Sequence, residues 1–290
     1  MTLGPGSLVL CSGTLPRHTS FADRLAAAAG AGYHAISLWG RDYARAREDG
    51  HSDAEMRTML DDHGLVVAEM DPAWWWTPGA PALGESLIDV DPLDVFRYGE
   101  DELLRMAEAV GARSLNAAEV LGGTWSIEEG AESFALLCDR AARHGLLVHL
   151  EWLAWSRVPD LDTAWDVVRM ADRPNGGLNV DTWHCARTGT TPDDLRSLPG
   201  DRVFAIQLDD APLAPEDNLI DATLHSRELP GRGQLDLVGY LGALRDIEVR
   251  APVGVEVFSD SLHADGADGA ARAAAEATRS VLGAARWPPS

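Results

Sequence analysis

Short apolar runs alternate with longer amphipathic stretches from one end of the chain to the other. Eight runs read as strands, over residues 7–15, 35–40, 65–71, 112–118, 146–153, 177–184, 203–209 and 253–259. Near-continuous apolar runs of this length indicate burial on both faces, as in a parallel sheet covered by helices. Stretches with helical periodicity lie between and after them, at 21–29, 53–63, 92–110, 126–144, 160–171, 192–197, 237–246 and 270–282. Local punctuation agrees. Gly30, Gly32, Gly64, Gly111 and Gly145 stand shortly before strand runs, where helices end. Ser52 before Asp53, Ser126 three residues before Glu129, and Thr191-Pro192 mark helix starts.

Eight β units, each followed by a helix, predict an α/β fold: a single (β/α)8 TIM barrel that takes up residues 1–290 as one domain. No linker or composition break divides the chain. An open doubly wound sheet competes with this, but no Gly-x-Gly-x-x-Gly follows the first strand run. The stretches 71–91 and 209–235 are long and rich in Pro, Gly and Asp; in a barrel they belong to the catalytic face.

Composition narrows the function. Lys and Arg number 24 against 46 Asp and Glu, a net charge of −22. Such a surface repels phosphate backbones and anionic lipid, so neither nucleic acid nor membrane is an expected partner. Cys11, Cys138 and Cys185 lack metal-ligand spacing and imply no disulfide framework. The opening MTLGPGSLVL has no charged region before a long apolar run, and nothing approaches the ~20 apolar residues of a membrane helix. The expectation is a soluble, cytoplasmic protein, with a homo-oligomer left open.

Four successive strand runs end on an acid or amide: HLEWL places Glu151 at the rim, NVDTWH places Asp181 and His184, AIQLDD offers Gln207 and Asp209, and VGVEVFS offers Glu256. One acidic residue at a strand end is commonly a helix cap or a loop ion pair. Several converging at one rim would repel each other unless a cation sat among them. Oxygen donors of this kind suit Mn²⁺ or Mg²⁺, with Co²⁺ as a further option, better than zinc.

At these residues the chain resembles the sugar isomerase/epimerase superfamily with xylose-isomerase-like TIM barrels, which includes ketohexose 3-epimerases, inosose dehydratases and hydroxypyruvate isomerases. The resemblance runs through most of the chain and is strongest over 146–259. It implies one divalent metal held by residues of the last four strands, here Glu151, Asp181, Gln207 and Glu256. Gln207 departs from the histidine usual in the family; its amide oxygen ligates a hard cation without charge. Asp181-Thr182-Trp183-His184 matches the family's Asp-Thr-aromatic-His stretch and implies substrate contact for His184. Arg227 precedes Pro230-Gly231-Arg232-Gly233 and matches a substrate-binding arginine.

The resemblance further implies that Glu151 and Glu256 act as acid and base on a keto-sugar, cyclitol or related hydroxy-ketone, making the chain an isomerase or epimerase. A lyase or dehydratase on the same site is the alternative, since the same enolate expels a β-hydroxyl. A barrel endonuclease would need more histidines and a basic face, and a non-catalytic sugar-binding barrel would have lost Glu151 or Glu256. His149 reads as a supporting residue one layer below Glu151. Asp209 and Asp210 read as solvated loop charges.

Ten tryptophans against five Phe and four Tyr are unusual. Trp39, Trp74, Trp75, Trp76, Trp125, Trp152, Trp155 and Trp183 fall at or beyond strand ends, so an apolar wall at the mouth is expected, with Trp39 and Trp183 against substrate. Such a wall suits a small polyhydroxy ketone with an apolar or aromatic portion better than a sugar phosphate.

Overall fold

In the computed structural model, which describes residues 2–80 and 95–287, eight parallel strands close into a barrel in sequence order. They are β1 (Leu8–Leu10), β2 (Ala35–Trp39), β3 (Val66–Ala73), β4 (Ser114–Ala117), β5 (Leu147–Leu150), β6 (Gly176–Asp181), β7 (Val203–Leu208) and β8 (Val253–Val255). β8 returns to β1, with Val9 opposite Gly254 and Leu10 opposite Val255, which leaves no open edge. The (β/α)8 architecture is the one the alternating pattern predicts.

Side chains alternate across each strand. One set, including Leu10, Leu38, Met70, Val148, Val180 and Leu208, is buried in the core shared with the helices. The other set faces the barrel interior, with a small apolar layer of Val9, Ala35 and Ala68 and a polar layer. A line of polar contacts crosses the latter: Asn116 to His149, His149 to Glu69, Glu69 to Gln207, and Gln207 to Asn179. A barrel filled in this way is a support for charged groups above it.

The helices are α1 (Phe21–Gly30), α2 (Gly40–Glu48), α3 (Asp53–Asp62), α4 (Glu100–Val110), α5 (Ile127–Ala142) and α6 (Leu161–Ala171). After them come α7 (Thr182–Thr188), α8 (Pro192–Leu195), α9 (Leu219–His225), α10 (Leu237–Asp246), α11 (Asp260–His263) and α12 (Gly266–Ala284). Ser52, Ser126 and Thr191 cap α3, α5 and α8 by accepting from the third helical N–H, as their spacing predicts. Among the described residues no helix is long and apolar enough to cross a membrane.

Three expectations are corrected. The runs 7–15, 146–153, 177–184 and 253–259 outlast their strands, because the chain beyond the last paired residue stays buried: Trp152, Trp183 and Val257 are all within the core. α2 has no apolar stripe, since Ala46 is its one buried side chain of that kind, and Arg41 and Asp42 carry the buried face instead. α9 lies inside 209–235, read as a loop. Of the predicted helix 92–110, residues 92–94 lie outside the described residues, as do residues 81–91 of the loop 71–91; the helix itself begins at Glu100.

Gly200, ahead of β7, tests this packing. A Cβ there would sit 1.8 Å from the Ile247 carbonyl oxygen, a backbone atom that cannot swing aside as a side chain would. Gly200→Ala is expected to destabilise the protein by about 2–3 kcal/mol, seen as a lower denaturant midpoint at unchanged slope.

Candidate active site

The C-terminal ends of the strands open into a cavity of about 350 Å³. Its floor is polar: Asp71 near the end of β3, Glu151 after β5, His184 in the first turn of α7, Thr223 and Arg227 from α9 and the residues after it, and Glu256 after β8. Its walls are apolar, with Trp39, Trp74, Phe96, Trp155, Leu224 and Phe258. Catalytic groups of such barrels sit at this face.

Asp181 is where strand becomes helix. Its Oδ1 accepts from the His184 backbone N–H at 2.9 Å, which caps α7 and swings the His184 ring over the floor. Its Oδ2 accepts from Arg227 Nη1 at 2.8 Å. The same Nη1 reaches Asp209 Oδ2 at 2.6 Å and Glu256 Oε2 at 3.4 Å. Nη2 donates to Thr223 Oγ1 at 2.7 Å and to His184 Nε2 at 3.3 Å. A guanidinium only donates, so His184 Nε2 is an acceptor and the neutral ring carries its proton on Nδ1. Burial first, then the Arg227 charge, lowers the His184 pKa to about 3 against the pull of Asp181, which keeps the ring neutral at ordinary pH. Its Nδ1 is buried without a hydrogen-bond partner among the described residues.

The two glutamates differ. Glu151 Oε2 accepts from Asn116 Nδ2 at 2.9 Å, while Oε1 is buried with no hydrogen-bond partner among the described residues. The nearest basic atom to Oε1 is His184 Nε2 at 3.7 Å, on a neutral ring. Glu256 has both oxygens engaged, Oε1 by Gln207 Nε2 at 3.5 Å and Oε2 by Arg227. Asn116 Nδ2 also donates to Asp71 Oδ1 at 2.8 Å, and Trp39 Nε1 donates to Asp71 Oδ2 at 3.1 Å.

Charge on this floor does not balance. Asp71, Glu151, Asp181, Asp209 and Glu256 are all buried, and among the described residues lining the floor Arg227 is the guanidinium that answers them. Burial, then the charge of Glu69, raises the Asp71 pKa to about 7. Burial also lifts the carboxyls of Glu151, Asp209 and Glu256 well above the ordinary range, helped by Asp181 and Asp71 at Glu151 and by Asp181 at Asp209. Burial pulls Arg227 down, but Asp181 and Asp209 outweigh it and hold the guanidinium charged.

A divalent cation fits this donor set. One ligand atom each from Glu151, Asp181 and His184 lies within 4.8 Å of the others. Near this floor two buried oxygens have no hydrogen-bond partner among the described residues, Glu151 Oε1 and Asn179 Oδ1. The second bears on Gln207, whose Oε1 accepts from Asn179 Nδ2 at 2.5 Å and whose Nε2 faces Glu69 and Glu256. In this arrangement Gln207 presents its nitrogen to the two carboxylates and braces Glu256.

The structure therefore brings Glu151, Glu256, His184, Arg227 and Trp39 to one cavity, with Asp181 and Gln207 in contact with them beneath it. Trp183 does not line that cavity. It is fully buried edge-on to His184, at 5.1 Å between centroids, because α7 begins one residue earlier and turns the indole toward Arg187 and Arg227. Of the other seven mouth tryptophans, Trp39, Trp74 and Trp155 line the cavity; Trp75 is half-buried outside its lining and donates to the Phe96 carbonyl, and Trp76, Trp125 and Trp152 are buried in the core. His149 sits one layer below Glu151 on Asn116 and Glu69, as read from its spacing.

Asp209 and Asp210 are not solvated loop charges. Asp209 is on Arg227 and Thr182, and Asp210 accepts from the N–H groups of Ala211, Gly231 and Leu235. Asp210 thus folds the Pro-Gly loop that follows Arg227, while Arg232 in that loop is exposed. Asp210→Ala leaves three buried or half-buried donors without an acceptor. A stability loss of about 3 kcal/mol and faster amide exchange at Gly231 and Leu235 are expected. Asp71 and Asn116 went unread in the sequence because neither stands in a recognisable motif.

Comparison with known proteins gives a consistent placement. A 3-dehydroshikimate dehydratase of Pseudomonas aeruginosa is 31% identical over 259 residues, 88% of this chain, and the chain spans 38% of that relative's length. An inosose isomerase of Bacillus velezensis is 29% identical over 260 residues, 83% of this chain and 91% of that protein. These relatives are enzymes. Among solved structures, the IOLI protein with a bound zinc atom superposes with a TM-score of 0.82 at 20% identity, covering 97% of this chain and 99% of that one, which speaks to the fold. Residues 25–281 match the family described as xylose isomerase-like TIM barrel, and the chain belongs to that family.

Proposed function

We propose that the chain is a metal-dependent dehydratase: it removes a proton from the carbon beside the ketone of a cyclic polyhydroxy substrate and expels the hydroxyl one carbon further on. The observation that carries this choice is the unequal engagement of the two glutamates. Glu151 Oε1 is free at the cavity floor, whereas both oxygens of Glu256 are held by Gln207 and Arg227. One free carboxylate on one face of a ring supports elimination; epimerisation asks for a free carboxylate on each face. Dehydratase relatives matching 88% of the chain support the same reading.

Glu151, Asp181 and Glu256, with His184 beside them, are the side chains that would hold the ion, and three carboxylates favour Mn²⁺ or Mg²⁺. When bound, a divalent cation supplies Lewis-acid polarisation of the ketone. Glu151 takes the α-proton, the C–H electron pair becomes the new double bond, and the C–O bond to the β-hydroxyl breaks. The protonated Glu151 then gives that proton to the departing oxygen, which leaves as water, and the carboxylate is restored. His184 Nδ1–H, lacking a protein partner, and the Arg227 guanidinium orient substrate oxygens over the floor. The apolar walls keep bulk water away.

An isomerase remains the second reading, favoured by the inosose isomerase match over 91% of that protein's length. In it Glu256 leaves Arg227 and returns a proton to the ring. Incubating the Mn²⁺-loaded protein with 3-dehydroshikimate and with an inosose in D₂O separates the two. Loss of water from either ketone supports the dehydratase. A product of unchanged composition carrying one solvent deuterium supports the isomerase. No exchange and no product with either ketone, nor with an aryl-substituted ring ketone, would overturn both.

A further inference from the structure

The cavity is split between two chemistries. Its polar groups are confined to the floor, and the outer half is built from aromatic and aliphatic side chains. Two aromatic pairs form the walls. Trp39 stacks on Phe258 with ring centroids 5.8 Å apart and 16° between planes, and Trp74 packs on Phe96 at 5.0 Å. Trp155 stands beside His184 at 5.6 Å. Ile220, also lining the cavity, is 51% exposed, an apolar side chain left open at the mouth. Within this wall the buried Trp74 Nε1 has no hydrogen-bond partner among the described residues.

A bare ring of hydroxyls is a poor occupant for the outer half, because each hydroxyl moved there would lose its water without gaining a partner. An anionic substituent is a poor occupant too. Arg227 is the guanidinium of the lining and is already held by Asp181, Asp209 and Glu256. A flat uncharged group satisfies what is present, since indole and phenyl faces stack on a ring and an unpaired indole N–H donates to a linking oxygen.

We infer that the outer half of the cavity is a binding site for an uncharged aromatic substituent, so that the substrate is a ring ketone joined to an aryl group rather than a free sugar or a sugar acid. This rests on the floor holding the ring, as proposed above. The site also distinguishes the chain from a dehydratase whose substrate carries a carboxylate.

Calorimetry of the full chain in Mn²⁺ buffer tests it with unreactive probes. Phenyl β-D-glucopyranoside should bind at least ten times more tightly than methyl β-D-glucopyranoside. The 4-carboxyphenyl glucoside should lose that advantage. Trp74→Ala should remove most of the phenyl preference, and Trp74→Phe should keep it. Equal affinity for phenyl and methyl glucosides, a carboxyphenyl compound that binds best, or no phenyl glucoside binding at millimolar concentration overturns the inference. Loss of water from a ring ketone together with equal glucoside affinities would remove the aryl site and leave the dehydratase reading standing. Phenyl preference without loss of water from any ring ketone would remove the dehydratase reading and leave the aryl site standing.

Discussion

Glu151→Gln is expected to abolish proton abstraction, by roughly 10³-fold in turnover, and at the same time to raise the melting temperature of the metal-free protein. The two effects share a cause. Glu151 is buried beside Asp181 and Asp71, and burial together with those charges lifts its carboxyl well above the ordinary glutamate range. A neutral amide of the same shape removes that repulsion and keeps an oxygen for Asn116 Nδ2, now at 2.9 Å from Glu151 Oε2. The gain should be a few degrees, on the order of 2–5 °C for a chain of this size. Opposite signs for stability and turnover mark a group kept for chemistry. If Glu151 only braced the fold, both quantities would fall together. Parallel thermal melts in EDTA and turnover assays in Mn²⁺ distinguish the two outcomes.

Metal-free protein should lose stability as pH rises, and a divalent cation should restore it. Burial, with the charge of Glu69, pushes the Asp71 carboxyl from its ordinary 3.8 up to about 7, and Glu151, Asp209 and Glu256 shift in the same direction. Between those pH values the folded chain binds more protons than the unfolded chain. The slope of unfolding free energy with pH follows the protons bound unfolded minus those bound folded, so it is negative through this window. Thermal melts in EDTA should therefore fall by on the order of 5–10 °C between pH 5 and pH 8. Mn²⁺ at pH 7.5 should reverse most of that fall, because the ion binds the ionised carboxylates of the folded state alone. A melting temperature that climbs with pH in EDTA, or one indifferent to Mn²⁺ and Mg²⁺, would contradict the charge excess on which the site rests.

The barrel was legible because its strands are buried on both faces and its helices carry ordinary caps, both of which write themselves into local sequence. Glu151, Asp181 and Glu256 were legible for a related reason: each follows an apolar run at the point where a parallel strand meets the rim. What stayed hidden depends on partners far away in the chain. Asp209 looks like the first of two loop acids until Arg227, 18 residues later, closes over it. Asp71 and Asn116 become a pair only when β3 and β4 lie side by side and one amide bridges to Glu151. Trp183 was assigned to substrate on position alone, yet the cap made by Asp181 turns it into the interior while presenting His184. α2 escaped notice because Arg41 and Asp42 occupy the positions where an apolar stripe is sought. Asp42 is anchored there by Arg24 at 3.2 Å and Ser12 at 2.9 Å, both distant in sequence.

The most direct measurement of the central claim follows the α-proton itself. Proton NMR in D₂O should record a cyclic polyhydroxy ketone with Mg²⁺-loaded wild type and with Glu151→Gln at equal metal content. The account predicts that wild type depletes the signal of the proton beside the ketone and releases water, and that the variant leaves both substrate and signal intact. Equal rates of proton loss in the two proteins would contradict it.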